Sequence, residues 1–119
     1  MPFNTVNGDL FRWTWLWAQI AGYFGLEVAT YPGQPVPLEQ QMADAPAVWA
    51  EIVAKHGLQD IAVNKLASWW HSDADLGRTL ECFTDMTNSR TLGFTAYQQS
   101  SHSFFDVFDA LRARRIIPS

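Results

Sequence analysis

The sequence predicts an α+β fold: a mostly helical small domain with a few short strands. Apolar residues recur at helical spacing in the stretches 9–25, 44–57, 63–74 and 101–115. Strand-like runs are confined to residues 1–7, 26–31 and 80–84. Glycine and proline punctuate the boundaries between these segments. At 119 residues the chain is expected to be a single domain, 1–119.

The segment Asn7–Gly25 carries three of the six tryptophans. Trp13, Leu16, Trp17, Ile20, Ala21 and Phe24 form one stripe on a helix, and Phe11, Trp15, Ala18 and Gly22 form a second beside it. Only Arg12, Thr14, Gln19 and Tyr23 remain for a polar side. A helix so apolar needs cover on more than one side. Asp9 is the expected N-cap and Gly25 the expected C-terminal stop.

Pro32-Gly33-Gln34-Pro35-Val36-Pro37 makes a stiff, extended connection. Leu38–Ala43 reads as a short helix. Asp44-Ala45-Pro46 opens the next, with Val48, Trp49, Ile52 and Val53 facing inward and Gly57 closing it. One helix is expected from Val63 to Ala74, with Leu66, Trp69 and Trp70 on one face and Gly77 as the break. Leu80–Thr84 alternates like a strand and places Cys82 in the core. Thr87–Leu92 is a short helix stopped by Gly93. The last helix, from Ser101 to Arg115, has Phe104, Val107, Phe108 and Leu111 inward, with capping-box spacing between Ser103 and Asp106.

Composition narrows the function. The net charge is −4 without a basic face, which argues against nucleic acid as a partner. A single cysteine excludes an intrachain disulfide and a cysteine-based zinc site. No apolar run reaches membrane-span length, and the N-terminus lacks the order of a secretory signal, so a cytoplasmic protein that does not engage a membrane is expected.

The most chemical stretch is Trp69-Trp70-His71 followed by Asp73 and Asp75. His71 and Asp75 share a helix face at i,i+4, but a metal would need a third ligand from elsewhere, and no metal site is expected. No catalytic Ser–His–Asp arrangement can be assigned from spacing. Gly22 and Gly25 fall at the end of a helix, the wrong place for a dinucleotide-binding turn.

The order Asn7-Gly8-Asp9-Leu10-Phe11-Arg12-Trp13, then Tyr23-Phe24-Gly25, resembles the C-terminal part of a family of short-chain dehydrogenases/reductases. These are the progesterone 5β-reductase and iridoid synthase-like enone reductases, related to NAD-dependent epimerase/dehydratase-like proteins. The resemblance continues through Val48-Trp49, Glu51-Ile52-Val53, Gly57-Leu58, Ser68-Trp69-Trp70, Asp73 and Leu76-Gly77. It ends with Asp85-Met86, Ser89-Arg90, Leu92-Gly93-Phe94 and Ile116-Ile117-Pro118. It covers nearly the whole chain, but only the last third or so of such an enzyme.

The resemblance implies a truncated form: a substrate-binding lobe without the Rossmann domain that binds NADP(H) or NAD(H) and carries the catalytic Tyr-x-x-x-Lys. None of Tyr23, Tyr31 and Tyr97 has a lysine four residues on. No catalytic residue, no cofactor-binding residue and no activity of the lone chain are therefore expected. A small-molecule substrate is implied, contacted by Trp70, His71, Ala74 and Asp75. Family members often carry phenylalanine at the position of His71, so a more polar ligand is implied here. Asp75 likewise replaces an apolar residue of the steroid-active members. The aromatic surface implies either a separate Rossmann-domain partner or self-association into a homo-oligomer. The rival expectation is a stand-alone, non-catalytic small-molecule-binding or interaction module.

Overall fold

The computed structural model describes residues 2–119. It is mostly helical: α1 (Trp13–Tyr23), α2 (Leu38–Gln41), α3 (Ala45–His56), α4 (Val63–Leu66), α5 (Trp69–Leu76), α6 (Thr87–Thr91) and α7 (Ser100–Ala113). None of these helices is long and apolar enough to cross a membrane. The chain divides into two compact units, Met1–Ala29 with Cys82–Phe108, and Thr30–Glu81 with Asp109–Ser119.

Three expected strands are corrected. Met1 lies outside the described residues, and neither 2–7, 26–31 nor 80–84 forms a strand. Among the described residues pairing is limited to one isolated parallel bridge, Gly8 with Gln98. Alternation favours a strand only where a neighbouring strand supplies hydrogen bonds. Without such pairing 80–84 has no buried face, and Cys82 is exposed, contrary to its expected place in the core.

In the first unit, α1 sends its rings onto α7. Trp13 meets Phe104 edge-on at 6.4 Å between centroids, and Phe24 meets Phe108 at 4.9 Å. Tyr23, expected on the polar side, stacks on Phe105 at 5.1 Å. Its phenol ring packs as an apolar plate. Leu16 is fully buried, whereas Trp13, Trp15 and Trp17 remain 47%, 43% and 52% exposed. The surplus of apolar surface foreseen for this helix is thus real.

Glycines end these helices as the sequence suggested. After α1, Gly25 takes a left-handed φ of 66°, letting its N–H reach Gly22 O and that of Leu26 reach Ala21 O. After α6, Gly93 does the same, with Phe94 N–H on Ser89 O. α7 ends through the same pair of bonds, but with Arg115 in the left-handed position at φ 52°. Burial of Ile116 directly after it accompanies that turn.

The helix starts differ from expectation. α1 is preceded by Arg12, which provides no side-chain cap bond, and Asp9 does not cap α1. Asp9 instead caps α7. Its Oδ2 accepts from Ser100 N–H and its Oδ1 from Ser100 Oγ, both at 2.7 Å. α7 starts at Ser100, so Ser103 lies inside its first turn and not at the expected cap. Asn7 Nδ2 also donates to Ser100 Oγ at 3.2 Å. Arg90 donates to the carbonyls of Phe94 and Ala96, beneath Gly8. A Cβ on Gly8 would lie 2.8 Å from Arg90 Nη2, and φ is 95°, so both space and backbone call for glycine.

At the start of α6 the Thr87 hydroxyl, and then its backbone N–H, donate to Asp85 and hold its carboxyl below the ordinary carboxylate range. A lowered folded-state value gives stability above the ordinary value of 3.8, lost as pH falls through the folded value. We expect Thr87→Val to move the Asp85 value upward, with the backbone bond retaining part of the shift. Carboxyl carbon NMR titration of both proteins measures it, and an unchanged Asp85 value refutes the attribution to the hydroxyl.

In the second unit, α2 packs on α5 and α3 on α4. Trp49 Nε1 donates to Ile61 O at 2.8 Å, satisfying the indole polar atom while its rings stay partly buried. Val48, expected inward beside it, is 46% exposed. Gln59 ties its segment to the end of α7 through N–H on Arg115 O and Nε2 on Arg114 O.

Candidate functional site

The single helix expected from Val63 to Ala74 is two. α4 ends at Leu66, Ala67 and Ser68 are extended, and α5 starts at Trp69. The break follows from Ser68, whose Oγ accepts from the His71 N–H at 3.3 Å and so competes with continuation of the helix. Leu66 consequently does not share a helical face with Trp69 and Trp70. Trp69 is half-buried, while Trp70 stands 68% exposed.

Asp73 is committed elsewhere. Both its carboxylate oxygens accept from Leu38 N–H, at 2.9 and 3.1 Å, which seats the start of α2 against α5. Gly77 closes α5 with its N–H on Asp73 O. A Cβ at Gly77 would sit 2.5 Å from that oxygen, so this close approach needs glycine.

All four expected contact residues, Trp70, His71, Ala74 and Asp75, lie on α5 and are exposed. His71 Nε2 and Asp75 Oδ2 are 3.1 Å apart, as the i,i+4 spacing suggested. Asp75 Oδ1 also accepts from Arg78 Nη2 at 3.0 Å. Arg78 was missed from the sequence; its signal was the i,i+3 spacing to Asp75. The rings of Trp70 and His71 are 6.2 Å apart, inclined at 56°. The helix therefore presents a flat apolar indole beside a polar His–Asp–Arg row. Among the described residues no group of three or more His, Cys, Asp or Glu side chains is placed to hold a metal.

A cavity of about 240 Å³ lies elsewhere in this unit, between Trp49 and Val53 of α3 and the segment 60–64. It is small beside typical ligand pockets of roughly 300–1,000 Å³. None of the four expected residues lines it.

A dinucleotide pyrophosphate sits on free N–H groups at a helix start, behind a glycine-rich turn. The pair Gly22 and Gly25 lies at the C-terminal end of α1, where the turn N–H groups are already bonded to helix carbonyls. That end carries the negative pole of the helix dipole. These residues do not fit a dinucleotide cofactor.

Two of the quoted groups of motifs build polar structure. Asn7-Gly8-Asp9 and Ser89-Arg90 build the polar knot of the first unit, and Ser68 through Gly77 builds the exposed face of α5. Comparison with known proteins finds relatives in sequence along nearly the whole chain. Over nearly its whole length the chain is homologous to a C-terminal portion of the progesterone 5β-reductase and iridoid synthase-like proteins.

It is 38% identical over 118 residues to an (S)-8-oxocitronellyl enol synthase of Nepeta cataria, and 37% over 119 residues to one of Camptotheca acuminata. It is 33% identical over 118 residues to a 3-oxo-Delta(4,5)-steroid 5-beta-reductase of Arabidopsis thaliana. Each match takes in 98% of this chain, which spans only 30% of the length of these relatives. No family model matches the chain.

Proposed function

We propose that residues 1–119 are the substrate-binding lobe of an NADP(H)-dependent short-chain reductase acting on an enone or related carbonyl. The observation that carries this is the similarity, along 98% of the chain, to enol synthases and to a steroid 5-beta-reductase. A nicotinamide supplies the hydride when bound, and in this reading protein outside the chain holds it. The part of this chain is to bind and orient the ligand. Trp70 offers an apolar plate, Ala74 leaves room one turn on, and His71 with Asp75 makes the wall polar. A single free cysteine, with no span-length helix among the described residues, suits the cytoplasm, which we assign as its compartment.

The test uses purified chain with 2-cyclohexen-1-one as the enone. Saturable quenching of tryptophan fluorescence is expected, weakened about tenfold or more in Trp70→Ala, since a stacked indole contributes on the order of 1.5 kcal/mol. NADPH should be neither bound nor oxidised. Enone binding that Trp70→Ala leaves unchanged removes α5 as the site, and oxidation of NADPH by the lone chain refutes the division of labour.

A second reading is favoured by the half-exposed tryptophans of α1. They suit a stand-alone module that covers this helix by self-association, or a lobe that docks a separate Rossmann partner. Light scattering distinguishes self-association: a dimer supports it, and a monomer that binds no hydrophobic dye removes it.

A further inference from the structure

We propose that Asp75 and Arg78 are positioning residues for His71, holding its Nδ1 as a hydrogen-bond acceptor so that the site takes a hydroxyl group on an apolar body. This rests on α5 being the ligand-facing element and sharpens which ligand it suits.

The Asp75 carboxylate is divided between two neighbours. Oδ2 lies 3.1 Å from His71 Nε2, and Oδ1 accepts from Arg78 Nη2 at 3.0 Å. Arg78 is itself tied back by Nε to Ala74 O at 3.4 Å. Asp75 therefore also acts on a ligand through His71, besides lining the wall. An ionised carboxylate only accepts, so on the neutral imidazole the proton belongs on Nε2. Nδ1 is then left with its lone pair. The backbone of His71 is pinned as well, because its N–H donates to Ser68 Oγ at the start of α5.

The neighbouring groups fit this assignment. Asp73, the nearest other carboxylate on the helix, is occupied by Leu38 N–H and does not compete for the ring. The side chains of His71 and Asp75 are 69% and 51% exposed, so a ligand reaches them from solvent. Trp70 supplies the apolar face next to the acceptor. An acceptor beside an indole favours O–H over an ether oxygen, since two acceptors placed together leave both unpaired.

The full chain, labelled with ¹⁵N, reports the tautomer through the two ring-nitrogen shifts of His71. The Nε2–H form is expected, giving way to a mixture of both forms in Asp75→Ala. An Nδ1–H ring in the unmodified chain overturns the proposal. Binding is then compared for cyclohexanol and methoxycyclohexane by tryptophan fluorescence. The alcohol should bind about tenfold tighter. That advantage should vanish in His71→Phe while the ether still binds. Equal binding of alcohol and ether overturns the proposal yet leaves α5 as the ligand-facing element. Failure of both probes to bind removes that element as the site, and the proposal with it.

Discussion

Leu16→Ala is expected to lower the unfolding free energy by about 3 kcal/mol, within the roughly 2–5 kcal/mol typical of buried leucine truncations. Leu16 is fully buried on α1, and Ile116 is the other apolar residue in the buried class among those described. With so few apolar residues fully enclosed, a hole at Leu16 has little surrounding core to close over it. Trp17→Ala removes more atoms from the same helix but starts 52% exposed. Its cost should be smaller, about 2 kcal/mol. Urea unfolding of the two variants, followed by far-UV circular dichroism, gives the comparison. Equal losses would mean that α1 is covered in solution on the face that carries Trp17.

Asp9→Ala is expected to cost about 2–3 kcal/mol, combining a lost helix cap with loss of charge-assisted hydrogen bonds. The substitution leaves the Ser100 N–H and hydroxyl without the carboxylate, at a residue only 5% exposed. Asp9→Asn should cost about half as much, because its amide oxygen can still take the Ser100 N–H and its NH₂ can donate to the Ser100 hydroxyl, while the charge assistance is lost. Hydrogen exchange offers a local check. The amides of Ser100 to Ser103 should exchange faster in Asp9→Ala, while those of α3 keep their relative protection. Uniform acceleration throughout the chain would show that the cap has no local role.

What the sequence made legible was local. Gly25, Gly57 and Gly93 marked helix ends because a left-handed residue beyond a helix is a backbone requirement, and all three take positive φ. Helical periodicity found α1, α3 and α7 to within a few residues. Hidden from it were the choices made by tertiary structure. Asp9 looked like the cap of the helix next to it and serves one that begins at Ser100. Ser68 looked like an interior helical residue until its hydroxyl is seen on the His71 N–H. Tyr23 was assigned outward on polarity, although Phe105 and Phe108 meet its ring.

The candidate site shows the same division. Trp70, His71, Ala74 and Asp75 all fall on α5 and are exposed, and the His71–Asp75 spacing was visible in the sequence. Arg78 was overlooked because Gly77 had marked the end of the element. A side chain just past a helix end can still reach back one turn, and Arg78 does so. Likewise Asp73, chemically indistinguishable from Asp75 in the sequence, is spent on the start of α2.

The bond between Asp9 and Ser100 also sets an order of events. Its partners are 91 residues apart, so closing that loop carries an entropy cost on the order of 4 kcal/mol before any contact offsets it. During synthesis the Asp9 carboxylate must wait until the segment around Ser100 has left the ribosome. Until then α7 has no capped start, and Trp13 of α1 lacks the Phe104 ring it packs against. The slow step of folding should therefore be the late docking of these distant segments, with the local turns of α3 already formed.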